Sequence, residues 1–299
     1  MKLLITGAWN CSDSQIQVIK ELGFEIEFMQ CEQEELPCNP KSIDAVICNS
    51  LFLFHSIEQF DNLKFIQTTS AGLDKIPLEY CEDKRIIVKN AKGVYSIPMA
   101  EFAVSGILDL YKQKYVFFKS QENHKWKKER NLLELADKIV LIIGCGSVGT
   151  ECAKRLKSFG CIIRGIDITK IENSAFEEIN DIKNIEGLLS GTDIVIITIP
   201  LTEDTRGLFD EKMFSYMKDN SLLVNVARGE IVNTKSLIYA LQNKLLGAVL
   251  DVFDEEPLNE NSELWSMKNV IVTPHCSFIG DGNNNRLFEV IYENLRGVL

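Results

Sequence analysis

The sequence predicts an α/β protein made of two domains, each built on a parallel sheet. Short apolar runs alternate with longer segments of helical periodicity along the chain, which is typical of this class. One run, Ile139–Ile143, is apolar at every position, as expected for a strand that helices cover on both faces. With 299 residues, the chain is long enough to form two domains of ordinary size.

The first group of predicted elements lies before Pro98. Its strands are predicted at five short apolar runs: Lys2–Thr6, Glu25–Phe28, Ala45–Cys48, Phe65–Gln67 and Ile86–Val88. Pro98 marks the start of a long helix from Met99 to about Lys119, since proline is tolerated at the first position of a helix. The polar segment Ser120–Asp137 has no strand pattern, and we expect a surface connection there.

The second group of predicted elements begins at Lys138. Its strands are predicted at six apolar runs: Lys138–Ile143, Cys161–Ile166, Ile194–Ile199, Leu222–Val226, Ala248–Leu250 and Val270–Val272. The segments between them have helical patterns, and Asp281–Leu299 is predicted to be a final helix. We therefore predict one domain over residues 98–276 and a second domain that combines residues 1–97 with residues 277–299.

Composition excludes several classes of function. The chain has 43 acidic and 32 basic residues, and a net charge of -11 disfavours binding to nucleic acid or an anionic membrane. No apolar run reaches the roughly 18 residues of a membrane span, and the N-terminus resembles a strand rather than a signal peptide, so we expect a cytoplasmic protein. The nine cysteines have no metal-site spacing, and we expect reduced, buried thiols and no metal site.

A glycine-rich turn follows the apolar strand that ends at Ile143. The segment from Gly144 to Gly149 has the pattern G-x-G-x-x-G, completed by Gly146, with Ser147 and Val148 at the start of a predicted helix. The first glycine allows a tight turn, the second lets the backbone approach a pyrophosphate, and the third lets the helix pack on the strand. Free N–H groups and the helix dipole favour an anion at this point. The turn therefore predicts a dinucleotide site.

An acidic residue at the end of the next predicted strand bears on the choice of cofactor. Asp167 lies 18 residues after Gly149, where a carboxylate can accept hydrogen bonds from both ribose hydroxyls. The same carboxylate would repel a 2′-phosphate, so we predict NAD rather than NADP. Arg164 and Lys170 are close enough in sequence to leave NADP open as the alternative.

Three polar residues follow predicted strands at the edge where open α/β sheets bind ligands. Arg228, Glu256 and His275 each come shortly after a different apolar run. An arginine can hold a carboxylate through two hydrogen bonds, and a histidine can transfer a proton near neutral pH. A neighbouring glutamate would orient the histidine and favour its protonated form. These groups are the ones needed to reduce a 2-oxo acid with a nicotinamide.

Seven stretches of the chain also resemble the motifs of one known family. In chain order they are Ser70–Asp74, Gly93–Glu101, the glycine turn, Pro200–Thr205, Asn225–Glu230, Gly247–Pro257 and Thr273–His275. In these stretches the chain is similar to the D-isomer-specific 2-hydroxyacid dehydrogenases that use NAD. The resemblance implies two Rossmann-like or flavodoxin-like domains with a cleft between them, one for the substrate and one for NAD. It also implies a homodimer built largely through the dinucleotide domain.

The resemblance further implies a role for individual residues. His275 would be the acid/base residue, and Arg228 would bind the substrate. The partner of the histidine would be Glu256, which precedes Pro257, rather than Glu255. The substrate carboxylate would also bind a backbone loop formed by Ser70, Ala71 and Gly72. The other implied contacts of the cofactor are Pro200, Thr205, Val226, Ala227 and Asp251.

The identity of the substrate has to be inferred from the surroundings of that loop. Relatives that oxidise 3-phosphoglycerate carry an arginine shortly before the loop, whereas this chain has the uncharged segment Gln67–Ser70. The run Phe52–Phe54 predicts an apolar wall. We therefore expect an unphosphorylated 2-oxo or 2-hydroxy acid, with 3-phosphoglycerate as the alternative. An NAD-sensing regulatory protein on the same fold is the alternative from a different class.

Overall fold

The computed structural model describes residues 1–169 and 172–298 and divides into two compact units. Unit 1 comprises Met1–Tyr95 and Gly280–Leu299, and unit 2 comprises Ser96–Ile279. The domain boundaries predicted from the sequence lie between residues 97 and 98 and between residues 276 and 277. None of the helices within the described residues is long and apolar enough to cross a membrane.

Unit 1 is built on a five-stranded parallel sheet. Its elements up to Tyr95 are β1 (Lys2–Thr6), α1 (Asp13–Glu21), β2 (Glu25–Met29), β3 (Ala45–Cys48), β4 (Phe65–Thr68), α2 (Leu78–Lys84) and β5 (Ile87–Lys89). The strand order is β2-β1-β3-β4-β5, so the chain changes direction across the sheet between β1 and β3. Every position of β3 and β4 is buried, which explains why these strands are continuous apolar runs.

Unit 2 is built on a seven-stranded parallel sheet of order β12-β11-β10-β9-β6-β7-β8. Its elements are α3 (Ser96–Tyr111), α4 (Lys114–Glu122), β6 (Ile139–Ile143), α5 (Ser147–Ser158), β7 (Ile162–Asp167), β8 (Glu178–Asp181), α6 (Ile185–Leu189), β9 (Ile194–Ile197), α7 (Glu211–Tyr216), β10 (Leu222–Asn225), α8 (Thr234–Asn243), β11 (Gly247–Leu250) and β12 (Val270–Val272). Separate apolar cores cover the two faces, one with α3 and α5 and the other with α6, α7 and α8. This two-faced burial requires the apolar strands that the sequence shows.

The last helix belongs to unit 1. Helix α9 (Asn283–Arg296) buries Leu287, Ile291 and Leu295 in the core that also contains β1. Their spacing places them on one face of the helix, which is the pattern of an amphipathic helix against a sheet. The amide of Asn294 also donates to the side-chain oxygen of Gln67 in β4, at 2.8 Å.

Two parts of unit 2 differ from the sequence prediction. The predicted single helix from Met99 to Lys119 is two helices, because Gln113 adopts a left-handed conformation with φ of 49° and separates α3 from α4. Helix α3 also begins before Pro98, at Ser96. A proline is accepted there because the N–H groups of the first helical turn have no partner within the helix.

Candidate active site

The glycine turn lies where β6 ends, next to β9, at the point where the strand order of the larger sheet reverses. Gly144 has a φ of 100°, a conformation that favours glycine. A Cβ atom at Gly149 would lie 2.0 Å from the carbonyl oxygen of Gly144, so this position must also be glycine for the helix to pack. At Gly146, by contrast, a Cβ would meet no described atom within 4 Å. The second glycine therefore leaves open space at the turn.

That open space lies at the N-terminus of α5. Gly146 caps the helix and has no side chain to accept from the first N–H groups, which belong to Ser147, Val148 and Gly149. Unpaired N–H groups at the start of a twelve-residue helix, beside a bare backbone, fit a pyrophosphate. The hydroxyl of Thr198, which follows β9, lies 2.7 Å from the carbonyl oxygen of Gly144 and fixes the turn. Sequence reasoning missed Thr198.

Asp167 ends β7, beside the glycine turn. Its carboxylate accepts hydrogen bonds from the backbone N–H groups of Cys145, at 2.9 Å, and Thr169, at 3.0 Å. Burial opposes ionisation, but these donors outweigh it and hold the pKa of Asp167 below its ordinary value. The side chain therefore carries a negative charge at neutral pH. Arg164 forms an ion pair with Glu178 at 3.1 Å. Lys170 lies outside the described residues.

The other residues predicted to contact the cofactor form two loops. The hydroxyl of Thr205 donates to the carbonyl oxygen of Pro200 at 2.8 Å, which closes the loop after β9. The side chains of Val226 and Ala227 are buried. The N–H of Ala227 donates to the side-chain oxygen of Asn225 at 3.1 Å. Both loops are thus held in shape by their own hydrogen bonds.

Three neighbouring strands carry the predicted catalytic residues. Strands β10, β11 and β12 are paired so that Asn225 lies beside Leu250, and Leu250 lies beside Val272. The three strands therefore end at the same level. Arg228, Glu256 and His275 follow those ends and lie at one edge of the sheet.

Arg228 is held on a loop that packs closely on the next one. The amide of Asn225 donates to the backbone oxygen of Arg228 at 2.9 Å. The following Gly229 meets the loop after β11, because a Cβ there would lie 1.8 Å from the backbone carbon of Phe253. The backbone N–H of Phe253 in turn donates to the Glu256 carboxylate at 3.0 Å. The arginine loop and the glutamate loop are therefore in direct contact through Gly229.

The Glu256 carboxylate is shared between this loop and His275. One oxygen accepts from Phe253, and the other lies 2.8 Å from Nδ1 of His275. The side chains of His275 and Glu256 are 41% and 35% exposed. The ring of Phe278 meets the imidazole edge-on, with centroids 6.2 Å apart. Because Nδ1 faces the glutamate, Nε2 is the nitrogen that can exchange a proton with a substrate.

Asp251, which the sequence predicted as a cofactor contact, anchors the histidine loop. Its side chain is fully buried. One carboxylate oxygen accepts from the Thr273 hydroxyl at 2.7 Å and from the N–H of Cys276 at 2.9 Å, and the other accepts from the N–H of Ser277 at 2.8 Å. The backbone oxygen of Asp251 accepts from the N–H of His275 at 2.8 Å. These bonds stabilise the left-handed backbone of His275, whose φ is 49°.

The predicted carboxylate loop lies in unit 1, after β4. The carbonyl oxygens of its residues accept hydrogen bonds from within the unit: Ser70 from the Thr68 hydroxyl, Ala71 from the Asn90 amide, and Gly72 from the Ser70 hydroxyl. Among the residues that the structure describes, the backbone N–H groups of Ser70, Ala71 and Gly72 donate to no acceptor. Consecutive N–H groups of this kind form a site for an anion.

Comparison with known proteins identifies the family. The sequence profile of the "D-isomer specific 2-hydroxyacid dehydrogenase, NAD binding domain" matches residues 104–277, which is more than half of the chain. The chain belongs to this family of dehydrogenases. It is an NAD-dependent oxidoreductase that acts on the CH–OH group of 2-hydroxy acids or reduces the matching 2-oxo acids. The predicted family, enzyme class and cofactor are thereby confirmed.

Individual relatives of this dehydrogenase differ in their substrates. A glyoxylate reductase from Thermofilum pendens is 33% identical over 282 residues, which are 89% of this chain and 81% of that protein. A D-3-phosphoglycerate dehydrogenase from Methanocaldococcus jannaschii is 32% identical over 308 residues, which are 100% of this chain but only 57% of that protein. Names of relatives therefore do not decide the substrate.

A solved structure confirms the predicted fold class. The dehydrogenase resembles the crystal structure of a D-isomer specific 2-hydroxyacid dehydrogenase from Xanthobacter autotrophicus Py2 in complex with NADPH and MES. The TM-score is 0.81 at 25% identity, and the alignment covers 99% of this chain and 94% of the other. The bound NADPH in that protein makes the choice between the two nicotinamide cofactors a question to be tested for this chain.

Proposed function

We propose that this dehydrogenase reduces a small, unphosphorylated 2-oxo acid to the D-2-hydroxy acid and prefers NADH to NADPH. The observation that carries the proposal is the hydrogen bond of 2.8 Å between Glu256 and Nδ1 of His275, next to the loop of Arg228. An imidazole held in this way has one free nitrogen and a fixed orientation, as an acid/base group needs. When bound, the nicotinamide supplies the hydride.

Each residue then has a defined task during reduction. The unpaired N–H groups of Ala71 and Gly72 bind the substrate carboxylate, and Arg228 binds the carboxylate and the carbonyl oxygen. His275 donates the proton on Nε2 to the carbonyl oxygen as that oxygen becomes an alkoxide. Glu256 keeps Nδ1 engaged, so that only Nε2 reacts.

The proposed lack of a phosphate on the substrate rests on the segment before the carboxylate loop. Gln67 is fully buried and uses both ends of its amide, donating to the backbone oxygen of Thr68 at 2.9 Å and accepting from Asn294 at 2.8 Å. This buried amide is uncharged and cannot balance the charge of a phosphate. Of the predicted apolar wall, Phe52 packs edge-on against Phe60, whereas Leu53 and Phe54 are exposed.

Steady-state kinetics with a panel of 2-oxo acids tests this proposal. Loss of NADH absorbance is followed with glyoxylate, hydroxypyruvate, 4-methyl-2-oxopentanoate and 3-phosphohydroxypyruvate, and the chirality of each product is determined. We expect turnover of unphosphorylated acids to D-products. A kcat/KM for 3-phosphohydroxypyruvate far above those of all the other acids would favour the phosphoglycerate alternative instead.

We further propose that the enzyme is a homodimer formed through unit 2. Helix α4 and the segment after it expose three aromatic side chains: Tyr115 at 54%, Phe118 at 60% and Trp126 at 99%. Trp126 borders an open hollow of about 870 Å³. Apolar surface of this kind is favourable to bury against a second copy.

Sedimentation should give twice the chain mass of 33.9 kDa, and Trp126→Glu should shift the protein toward monomer. A monomeric unmutated protein would contradict the proposal.

We also place the protein in the cytoplasm. All nine cysteines are free thiols, and five of them are buried. A reducing compartment maintains thiols in this state. Fractionation of the source cells, with detection of the enzyme outside the cytoplasmic fraction, would overturn this assignment.

A further inference from the structure

A second polar cluster lies in unit 1, where the strand order of the smaller sheet reverses. Strands β1 and β3 end side by side at this point, which is the usual ligand position in an open α/β sheet. Glu32 joins the two strand ends: its carboxylate accepts from the Thr6 hydroxyl at 2.7 Å, from the N–H of Asn49 at 2.7 Å and from the N–H of Ser50 at 2.6 Å. These three donors satisfy the Glu32 carboxylate and fix the loop after β3.

The ammonium group of Lys75, in the segment between β4 and α2, contacts this fixed loop. Nζ of Lys75 donates to the hydroxyl of Ser50 at 3.0 Å. Within the described part of the chain, no carboxylate lies within ion-pair distance of Lys75. A hydroxyl is neutral, so the positive charge of Lys75 is not compensated by its partner. No sequence motif marks Lys75, since it follows the carboxylate loop and its neighbour Ser50 is 25 residues away in sequence.

The same loop adjoins the free N–H groups that we assign to the substrate carboxylate. Strands β3 and β4 are paired with Cys48 beside Thr68, and the N–H of Thr69 donates to the carbonyl oxygen of Cys48 at 2.9 Å. Ser50 is two residues beyond Cys48, and Ser70 is two residues beyond Thr68. The Lys75 ammonium and the carboxylate loop therefore lie at the same edge of adjacent strands.

We propose that Lys75 binds a second acidic group of the substrate and that the enzyme prefers 2-oxo acids with a singly charged group at the far end. This inference rests on the proposed function, because it takes the first carboxylate to lie on Ala71 and Gly72. A carboxylate or a sulfonate matches the single charge of one ammonium. A phosphate carries close to two negative charges at neutral pH and would leave one of them uncompensated near Glu32.

Substrates of equal shape and different charge test the inference. In the first pair, oxaloacetate carries a carboxylate where 4-methyl-2-oxopentanoate carries an isopropyl group. In the second pair, 3-sulfopyruvate carries a sulfonate where 4,4-dimethyl-2-oxopentanoate carries a tert-butyl group. The measured quantity is the ratio of kcat/KM for the charged and the neutral member of each pair. For the unmutated enzyme we expect at least one ratio to be about 5, the upper range for an ion pair made by an exposed side chain. The pair with the larger ratio distinguishes carboxylate from sulfonate.

Two variants and one control complete the experiment. Lys75→Met keeps the length of the side chain and should lower that ratio about 5-fold, whereas glyoxylate, which has no second group, should be reduced as before. Ser50→Ala, which releases the ammonium, should lower the ratio about 2-fold. Lys20→Met removes an equally exposed charge from α1 in the same unit and should leave the ratio unchanged.

The outcomes separate the two proposals. If glyoxylate is reduced normally and the ratio is the same in the unmutated enzyme and in Lys75→Met, then Lys75 does not bind substrate, while the proposed function stands. If no 2-oxo acid is reduced by the unmutated enzyme with either cofactor, both proposals are wrong. A ratio that falls equally in Lys20→Met would attribute the effect to net charge and would overturn the inference about Lys75.

Discussion

Gly229 offers a direct test of how the site is assembled, because it lies between the loop of Arg228 and the loop of Glu256. In Gly229→Ala the new Cβ would lie 1.8 Å from the backbone carbon and 2.0 Å from the backbone oxygen of Phe253. Both of these atoms are backbone, so no side-chain rotation can relieve the overlap. The two loops would have to separate by about 1.7 Å to reach an ordinary van der Waals distance.

The size of that separation sets the expected effect of Gly229→Ala. A misplacement of about 1 Å between groups that act on one substrate costs roughly 100-fold in rate. We therefore expect kcat/KM for 2-oxo acid reduction to fall about 100-fold. Overpacking of this kind should lower the free energy of unfolding by about 1 to 3 kcal/mol. The dissociation constant of NADH, measured by fluorescence titration, should change much less, because the glycine turn at Gly144 is formed by other strands.

A matched glycine provides the control. Gly187 lies on α6 in the same unit, and a Cβ there would meet no described atom within 4 Å. Gly187→Ala should retain full activity and raise the free energy of unfolding by about 0.5 to 1 kcal/mol, since alanine is the better helix former. If Gly229→Ala also kept full activity, the contact between the arginine and glutamate loops would not matter for catalysis, and our reasoning about the site would be refuted.

Three further substitutions test separate parts of the site. Asp167→Ala should raise the KM of NADH about 10-fold and improve the use of NADPH, because it removes charge-assisted hydrogen bonds to the ribose and a repulsive charge. Since the pKa of Asp167 is lowered, its carboxylate stays ionised as the pH falls from 8 to 5, and the NADH preference of the unmutated enzyme should persist over that range; equal use of both cofactors would contradict this. His275→Ala should lose roughly 100- to 10,000-fold in kcat with a small change in NADH affinity, and an intact kcat would exclude it as the proton donor. Arg228→Ala should damage both KM and kcat, by about 2 to 5 kcal/mol in kcat/KM, and an effect on kcat alone would argue against a carboxylate contact.

The strands of both sheets could be predicted from the sequence because burial on both faces leaves few alternatives to a continuous apolar run. The predicted strand Val270–Val272 has the same bounds as β12, whereas the predicted strand Ile194–Ile199 is two residues longer than β9. Strand β8 was missed. It has only one apolar residue, Ile179, and is a strand because it pairs with β7 at the edge of the sheet. The pairing of an edge strand depends on the strand beside it, so the amino-acid composition of the edge strand itself does not reveal it.

The break between α3 and α4 could not be predicted for a similar reason. Helical periodicity continues from Met99 to Lys119, and nothing in a glutamine indicates the left-handed conformation found at Gln113. The turn is fixed by contacts outside the helix: the amide of Gln113 donates to the backbone oxygen of Asn131 at 3.0 Å, and Lys112 donates to that of Leu133 at 2.7 Å. Such distant contacts override local pattern.

The motif residues of the site could be found in the sequence, but the residues that support them could not. Thr198 holds the glycine turn from a strand 54 residues away, and Gly229 matters because Phe253 packs against it. Lys75 meets Ser50 across 25 residues. Each of these contacts exists only because parallel strands end at a common edge. Strand order, which the sequence alone did not give, is the information that was lacking.

The central claim is that Glu256 and His275 act together as the proton donor, and a double-mutant cycle in the rate of reduction tests it most directly. The Glu256 carboxylate lies 2.8 Å from Nδ1 of His275 and orients the imidazole so that Nε2 is left for the substrate. Glu256→Gln keeps the shape without the charge and should lower the kcat of reduction by about 10-fold or more in the otherwise unmutated enzyme. In the His275→Ala background the same substitution should have little further effect, because no imidazole remains for Glu256 to orient. Glu255→Gln, an exposed neighbour in the same loop, should leave kcat unchanged in both backgrounds. If Glu256→Gln lowers kcat by the same factor in both backgrounds, Glu256 is not coupled to the proton donor and the account is contradicted.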